Sequence, residues 1–352
     1  MKPEYKDFLN KLENILAKSE RIIITTHRSP DDDAIGSLLS AYSHFFRKYP
    51  EKFVSMVISG NDRNRWHYFK NSDKITFVGD MTERLDDADV IIFLDGAEYH
   101  RFSESPERFT NFTGETICID HHASAPDNFI ARLTDISSTS ASEMVYHLFY
   151  EKIEKIETKD AETLLLGIIG DTGSFEYVTP EKSGVFEIAK RLVEEGNISL
   201  QKMRAQYSSY TERELAIMGE FIRQKKIIGD ISGWPAFSVF SVSRKFLSDN
   251  DYNDSEGAEA KNIIVSLFGT KLENAPWGIS LQPTSDGGVK ASFRSIPSGP
   301  NVRLIAEGLG VGGGHDLASG AKFVKENKEL EADDIIEKIT SWMKKNPPVM
   351  TD

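Results

Sequence analysis

Eight side chains in this sequence share one kind of chemistry. His27, Asp31, Asp33, Asp95, Asp120, His121, His122 and Asp171 are imidazoles and carboxylates, and they cluster at or just after the ends of apolar runs. Such donors suit hard or borderline cations, so Mn²⁺ or Mg²⁺ is favoured over a structural zinc site, which would draw on thiolates. The single cysteine, Cys118, lies inside an apolar run and reads as a packing residue. Asp31 and Asp33 stand two residues apart in one tight turn, so their carboxylates can diverge toward different ions while His27 approaches from the strand end. Two ions about 3.5–4 Å apart would clamp a phosphoryl group, lower the pKa of a bridging water and stabilise a leaving oxygen. The chemistry indicated is phosphoester hydrolysis. Aspartates in a first helical turn are also favoured by capping and the helix dipole alone, so the metal reading rests on the clusters taken together.

The elements that must position these groups can be read from hydrophobic period. Tyr5, Phe8, Leu9, Leu12, Ile15 and Leu16 recur at helical spacing. RIIITTHRSPDDDAIGSLLS, from Arg21, reads as strand, loop and helix, and Phe53 to Ser59 as another strand. IIFLDGAE, from Ile91, is a short apolar strand ending in Asp95, and TICIDHHAS ends at Asp120, His121 and His122. Adjacent strand residues face opposite sides, so both histidines can engage one site only if the strand has ended by His121. Ser140 and Glu143 have capping-box spacing, and the apolar stretch Ala161 to Gly170 delivers Asp171. Thr179 and Pro180 signal the start of a helix toward Gly196. Strands alternating with helices imply a mostly parallel sheet whose strand ends share one edge, where open α/β sheets bind ligands.

A helical stretch from about Ser199 to Ile228, with Thr211 and Glu214 opening one helix, connects this region to a second α/β domain. There AFSVFSV, WGISLQP and VKASFRS alternate with a helix and glycine-rich turns, before a final amphipathic helix through Ile335, Ile339 and Trp342. The expected division is residues 1–198, a linker at 199–230, and 231–346.

Composition narrows the class. The 352 residues, 39% hydrophobic and 28% charged, can bury a core in each of two domains. A net charge of −13 argues against coating long nucleic acid and leaves small anionic substrates allowed. The lone cysteine precludes a disulfide framework, and no apolar run reaches membrane-spanning length. A soluble cytoplasmic protein, without membrane contact, is expected.

HRSPDDDAIGS, IIFLDGAE, CIDHHAS and GDTGSF, in this order, resemble the four signatures of the DHH phosphoesterase superfamily, and ASFRS with GVGGGHDLASG resembles its DHHA1 domain. In size the chain is most similar to the stand-alone nanoRNase/pAp-phosphatase group. The resemblance implies that His27, Asp31 and Asp95 bind one Mn²⁺, that Asp33, Asp95, His121 and Asp171 bind a second, and that Asp95 bridges them. It implies that His122 faces the scissile phosphate while Asp120 orients the cluster. Arg294, Ser295, Gly312, Gly313, Gly314 and His315 would form a substrate pocket across an interdomain cleft, and a homodimer is plausible. Asp32 reads as a surface charge, and Phe175 and Tyr177 as packing residues rather than base-stacking ones.

The expected function is Mn²⁺-dependent hydrolysis of short nucleotides: oligoribonucleotides, 3′-phosphoadenosine 5′-phosphate (pAp), pApA or cyclic di-AMP. The alternatives are a pyrophosphatase or short-chain polyphosphatase, and a non-catalytic nucleotide sensor.

Overall fold

The computed structural model describes residues 2–60, 65–123, 126–207, 210–229, 231–325 and 328–351. The chain separates into two compact units, Met1–Ser209 and Tyr210–Asp352.

In the first unit the strands are β1 (Arg21–Thr25), β2 (Phe53–Ser59), β3 (Ile75–Val78), β4 (Val90–Leu94), β5 (Glu115–Asp120) and β6 (Ala131–Thr134). Its helices are α1 (Pro3–Leu16), α2 (Asp32–Lys48), α3 (Ala141–Val145), α4 (Thr158–Asp171), α5 (Val185–Gly196) and α6 (Leu200–Tyr207). The strands form one sheet in the order β3-β2-β1-β4-β5-β6, and every neighbouring pair is parallel. Both faces are covered, which is why β1 and β4 are continuous apolar runs. Ile22, Ile24, Ile92 and Leu94 join the helix-covered core, whereas Ile23, Ile91 and Phe93 pack on the opposite face with Tyr99, Phe102 and Phe109. The strand order reverses direction between β1 and β4, so a crevice opens at their carboxyl ends.

Glycines set how closely α2 and α4 cross. A Cβ on Gly36 would lie 2.7 Å from both the backbone N of Gly167 and the carbonyl O of Thr163. The two backbones therefore touch, and the start of α2 is held beside the end of α4. Ser40 and Thr163 seal the crossing with a hydroxyl contact of 2.8 Å.

The second unit contains α7 (Glu212–Arg223), β7 (Lys226–Ile228), β8 (Phe237–Ser241), α8 (Arg244–Asp249), α9 (Asp254–Phe268), β9 (Trp277–Pro283), β10 (Val289–Arg294), α10 (Val302–Gly308), β11 (Gly312–Gly314), β12 (Ala318–Phe323) and α11 (Ala332–Met343). Its sheet runs β11-β12-β10-β9-β8-β7, with β8 and β9 parallel and the other pairs antiparallel. Trp277, Ile279, Leu281 and Phe293 pack one face onto Val302, Ile305, Ile335 and Ile339.

Several local readings change. Strands β3 and β6 carry no strong alternation and escape the sequence. Thr179 and Pro180 open a short 3₁₀ turn, Pro180–Lys182, while α5 begins at Val185. The stretch expected to be helical through Ile228 ends in β7, which pairs with β8. The glycine run Gly312–Gly314 is an edge strand of the described sheet rather than a free loop. No helix among the described residues is long and apolar enough to cross a membrane.

Candidate metal centre

The site lies at the reversal of strand order. β1 leads to His27, β4 ends just before Asp95, and β5 ends at Asp120, so His121 and His122 lie beyond the pleat and both turn to the same crevice. α2 starts here and α4 ends here, contributing Asp31, Asp33 and Asp171.

Asp31 is both a cap and a candidate ligand, with one oxygen for each task. Its Oδ1 accepts from the backbone N–H groups of Asp33 and Ala34 at 3.1 and 3.0 Å, while Oδ2 faces Nε2 of His27 at 4.0 Å. Asp33 is fully buried against the N-terminus of α3, accepting from Ala141 N at 2.6 Å and Ser142 N at 2.9 Å. Helix termini present N–H groups to carboxylates in this way. The sequence reading did not foresee this support, although the Ser140 and Glu143 spacing marked the helix start. Ser140 caps through Glu143 N, whereas the Glu143 carboxylate bonds to Thr139.

Asp95 stands between two groups. Its Oδ2 is 3.3 Å from Nε2 of His27, and its Oδ1 is 3.5 Å from Nε2 of His121. The residue has φ of 59°, a left-handed backbone that costs a non-glycine residue about 1–3 kcal/mol and is found at sites where position matters. His121 Nε2 also lies 3.2 Å from Asp171 Oδ2 and 3.9 Å from Asp33 Oδ2. His122 hydrogen-bonds through Nδ1 to Asp120 Oδ1 at 2.7 Å.

The electrostatics follow from crowding several carboxylates into one crevice. Burial pushes the Asp33 carboxyl well above its usual range, and the charges of Asp95 and Asp171 add to this. Burial, with further help from Asp31 and Asp95, raises Asp171 to about 6. Its place at the carbonyl end of α4 also opposes a negative charge. Burial opposes charge on His121, but Asp171 and Asp95 outweigh it and hold the ring up to about 10. Burial likewise opposes ionisation of Asp95, and the adjacent His121 and His27 hold it well below the carboxylate range.

The donors fit divalent ions. His27, Asp31 and Asp95 form one group and Asp33, His121 and Asp171 another, each with donor atoms within 4.8 Å of one another. A third group joins Asp95 with His121 and His122. Bonds of about 2.1 Å to one ion place neighbouring donors about 3–4 Å apart, the range seen here. His27 Nε2 is buried without a hydrogen-bond partner among the described residues, as an atom reserved for a cation would be.

One expectation changes. Asp32 is not a plain surface charge: it accepts from Arg65 Nη2 and Trp66 Nε1, both at 2.9 Å, tying the segment after β2 to the start of α2. Cys118 is fully buried, which raises its thiol pKa. His44 stacks on Phe149, and burial lowers its pKa to about 3. Arg294, Ser295, Gly312, Gly313, Gly314 and His315 all lie in the second unit, on β10, β11 and the residues that follow them.

Fold and donor cluster define a class: an α/β protein with a crevice of carboxylates and imidazoles suited to divalent ions. Residues 21–168 match the DHH family, N-terminal domain. The chain is 28% identical over 334 residues to the bifunctional oligoribonuclease and PAP phosphatase NrnA of Bacillus subtilis, covering 93% of this chain and 96% of that protein. It is 25% identical over 327 residues to the probable Streptococcus mutans counterpart, covering 92% and 97%. A crystal structure of an exopolyphosphatase-related protein from Bacteroides fragilis superposes with a TM-score of 0.78 at 25% identity, covering 97% of each chain. Over residues 21–168 the chain thus resembles the DHH family, and with these relatives it is an enzyme that hydrolyses phosphoester bonds.

Proposed function

We propose that the first unit holds two divalent cations, Mn²⁺ by preference and Mg²⁺ as a substitute, and that the enzyme hydrolyses short nucleotides. The substrates would be oligoribonucleotides of a few residues, pAp, or dinucleotides such as pApA and cyclic di-AMP. The observation that carries this reading is the division of Asp95, with one oxygen toward His27 and the other toward His121. His27, Asp31 and Asp95 would hold one cation, and Asp33, Asp95, His121 and Asp171 the other. When bound, the cations supply positive charge to phosphoryl oxygens and to a hydrolytic water. His122, its Nδ1 engaged by Asp120, would turn Nε2 to the scissile phosphate and donate a hydrogen bond or a proton there when the ring is protonated.

Arg294, Ser295, Gly312, Gly313, Gly314 and His315 would bind the nucleotide's terminal phosphate or base. β11 supports this. His315 and Ala318 exchange backbone bonds, and antiparallel alternation then directs the N–H groups of Gly312 and Gly314 off the sheet edge, away from β12. Such N–H groups suit an anion. Arg294 offers a planar fork for a phosphate. The substrates named for the Bacillus subtilis relative point the same way.

Release of phosphate or mononucleotide, measured with Mn²⁺ across pAp, di- to pentaribonucleotides, pApA, cyclic di-AMP, pyrophosphate and tripolyphosphate, tests the proposal. Turnover of the nucleotides alone is expected. The name of the Bacteroides fragilis protein favours a second reading, short-chain polyphosphatase. Turnover confined to pyrophosphate or tripolyphosphate would establish that reading instead.

A further inference from the structure

The segment after Asp171 has an unusual backbone. Gly173, Ser174 and Phe175 have φ of 57°, 60° and 71°, three consecutive left-handed residues, of which two carry side chains. The chain curls back on the end of α4: Ser174 N donates to Ile169 O at 2.7 Å, and Tyr177 N to Thr172 O at 3.0 Å. Tyr177 is thereby fastened to the residue next to Asp171. The two aromatic side chains then part company. Phe175 packs on the main core and stacks on Phe186 with centroids 5.4 Å apart. Tyr177 stays 53% exposed.

Its ring is nonetheless held in place. A Cβ on Gly173 would meet Tyr177 Cε2 at 2.4 Å, so the ring lies directly on the glycine. Burial does not account for a fixed ring that remains half in solvent, and a run of left-handed backbone is retained where the surroundings gain from it. What the ring adds is a flat, half-exposed apolar face on the segment that leaves Asp171, a member of the carboxylate and imidazole cluster. A short nucleotide has a phosphate for the polar cluster and a base for such a face. Stacking on an aromatic accepts any base, since each has a π-face.

We infer that Tyr177 is a nucleobase-stacking site beside the metal centre. This rests on the proposed nucleotide substrates and specifies how the base is taken. The ring would hold the base while the attached phosphate lies at the Asp95 cluster, and it discriminates nucleotides from inorganic phosphates.

The test compares wild type with Tyr177→Ala and Tyr177→Phe on pAp and on an abasic bisphosphate of the same ribose skeleton. Tyr177→Ala is expected to raise KM for pAp about ten-fold or more with kcat unchanged, while Tyr177→Phe restores the wild-type value. KM for the abasic compound should not move. An equal rise for both compounds, or no rise for pAp, would overturn the assignment. A dinucleotide carrying 2-aminopurine, titrated with Ca²⁺ in place of Mn²⁺, gives a readout that needs no turnover. Its fluorescence should be quenched by wild type and Tyr177→Phe but not by Tyr177→Ala, and equal quenching by all three would refute stacking at Tyr177. Absence of nucleotide hydrolysis by wild type would count against the proposed function, while the quenching still decides the stacking.

Discussion

Asp120 holds the ring of His122 from behind, with Oδ1 2.7 Å from Nδ1. Asp120 is fully buried, and its Oδ2 has no hydrogen-bond partner among the described residues. An outer carboxylate of this kind fixes the tautomer and direction of an imidazole. Asp120→Asn keeps the shape and removes the charge, so it should lower kcat about 10- to 100-fold while KM changes little. Steady-state kinetics on pAp check this, and a change confined to KM would contradict the orienting role.

Asp95 is the residue on which both candidate ion positions depend. Asp95→Ala should abolish hydrolysis and reduce the Mn²⁺ stoichiometry measured by calorimetry from two per chain. A variant that still binds two ions and turns over substrate would remove the bridging assignment.

Ion binding should release protons. His121, raised to about 10, is protonated at neutral pH in the ion-free protein, and an ion can take only the neutral ring. Below about 6 a second proton competes on Asp171. Apparent Mn²⁺ affinity should therefore rise with pH across the neutral range, by about ten-fold per pH unit for one released proton, and more steeply below the Asp171 value. Calorimetry in two buffers of different ionisation enthalpy measures the release directly. A pH-independent affinity with no proton release would show that His121 does not bind the ion.

Gly36 at the α2/α4 crossing and Gly219 in α7 give an opposite pair of glycine predictions. Gly36→Ala drives a Cβ into the backbone of α4 at 2.7 Å, where nothing flexible can yield. It should cost about 1–3 kcal/mol and lower activity by separating Asp33 from Asp171. Gly219, within α7, has nothing within 4 Å of an added Cβ. Gly219→Ala should stabilise by about 0.4–1 kcal/mol. Thermal melts of both variants check the contrast.

Much of this protein is legible in one dimension. Strands β1, β4 and β5 announce themselves as buried apolar runs, and the donors stand where those runs stop. Chain order therefore suffices to gather His27, Asp95, Asp120, His121 and His122 at one sheet edge. Local capping rules likewise locate the start of α7 at Thr211. Other features depend on contacts between residues far apart in sequence. Asp33 is cradled by Ala141 and Ser142, more than a hundred residues on. Asp171 reaches the site from a helix end because Gly36 and Gly167 let two backbones meet. Asp32 loses its surface character to Arg65 and Trp66. Phe175 and Tyr177 look alike as letters, and only the folded chain, after the left-handed run Gly173–Phe175, packs one ring on the core and leaves the other exposed. Hydrophobic period and capping are local and are written into neighbouring residues, whereas close approach, shared charge and side-chain direction exist only once distant segments pack.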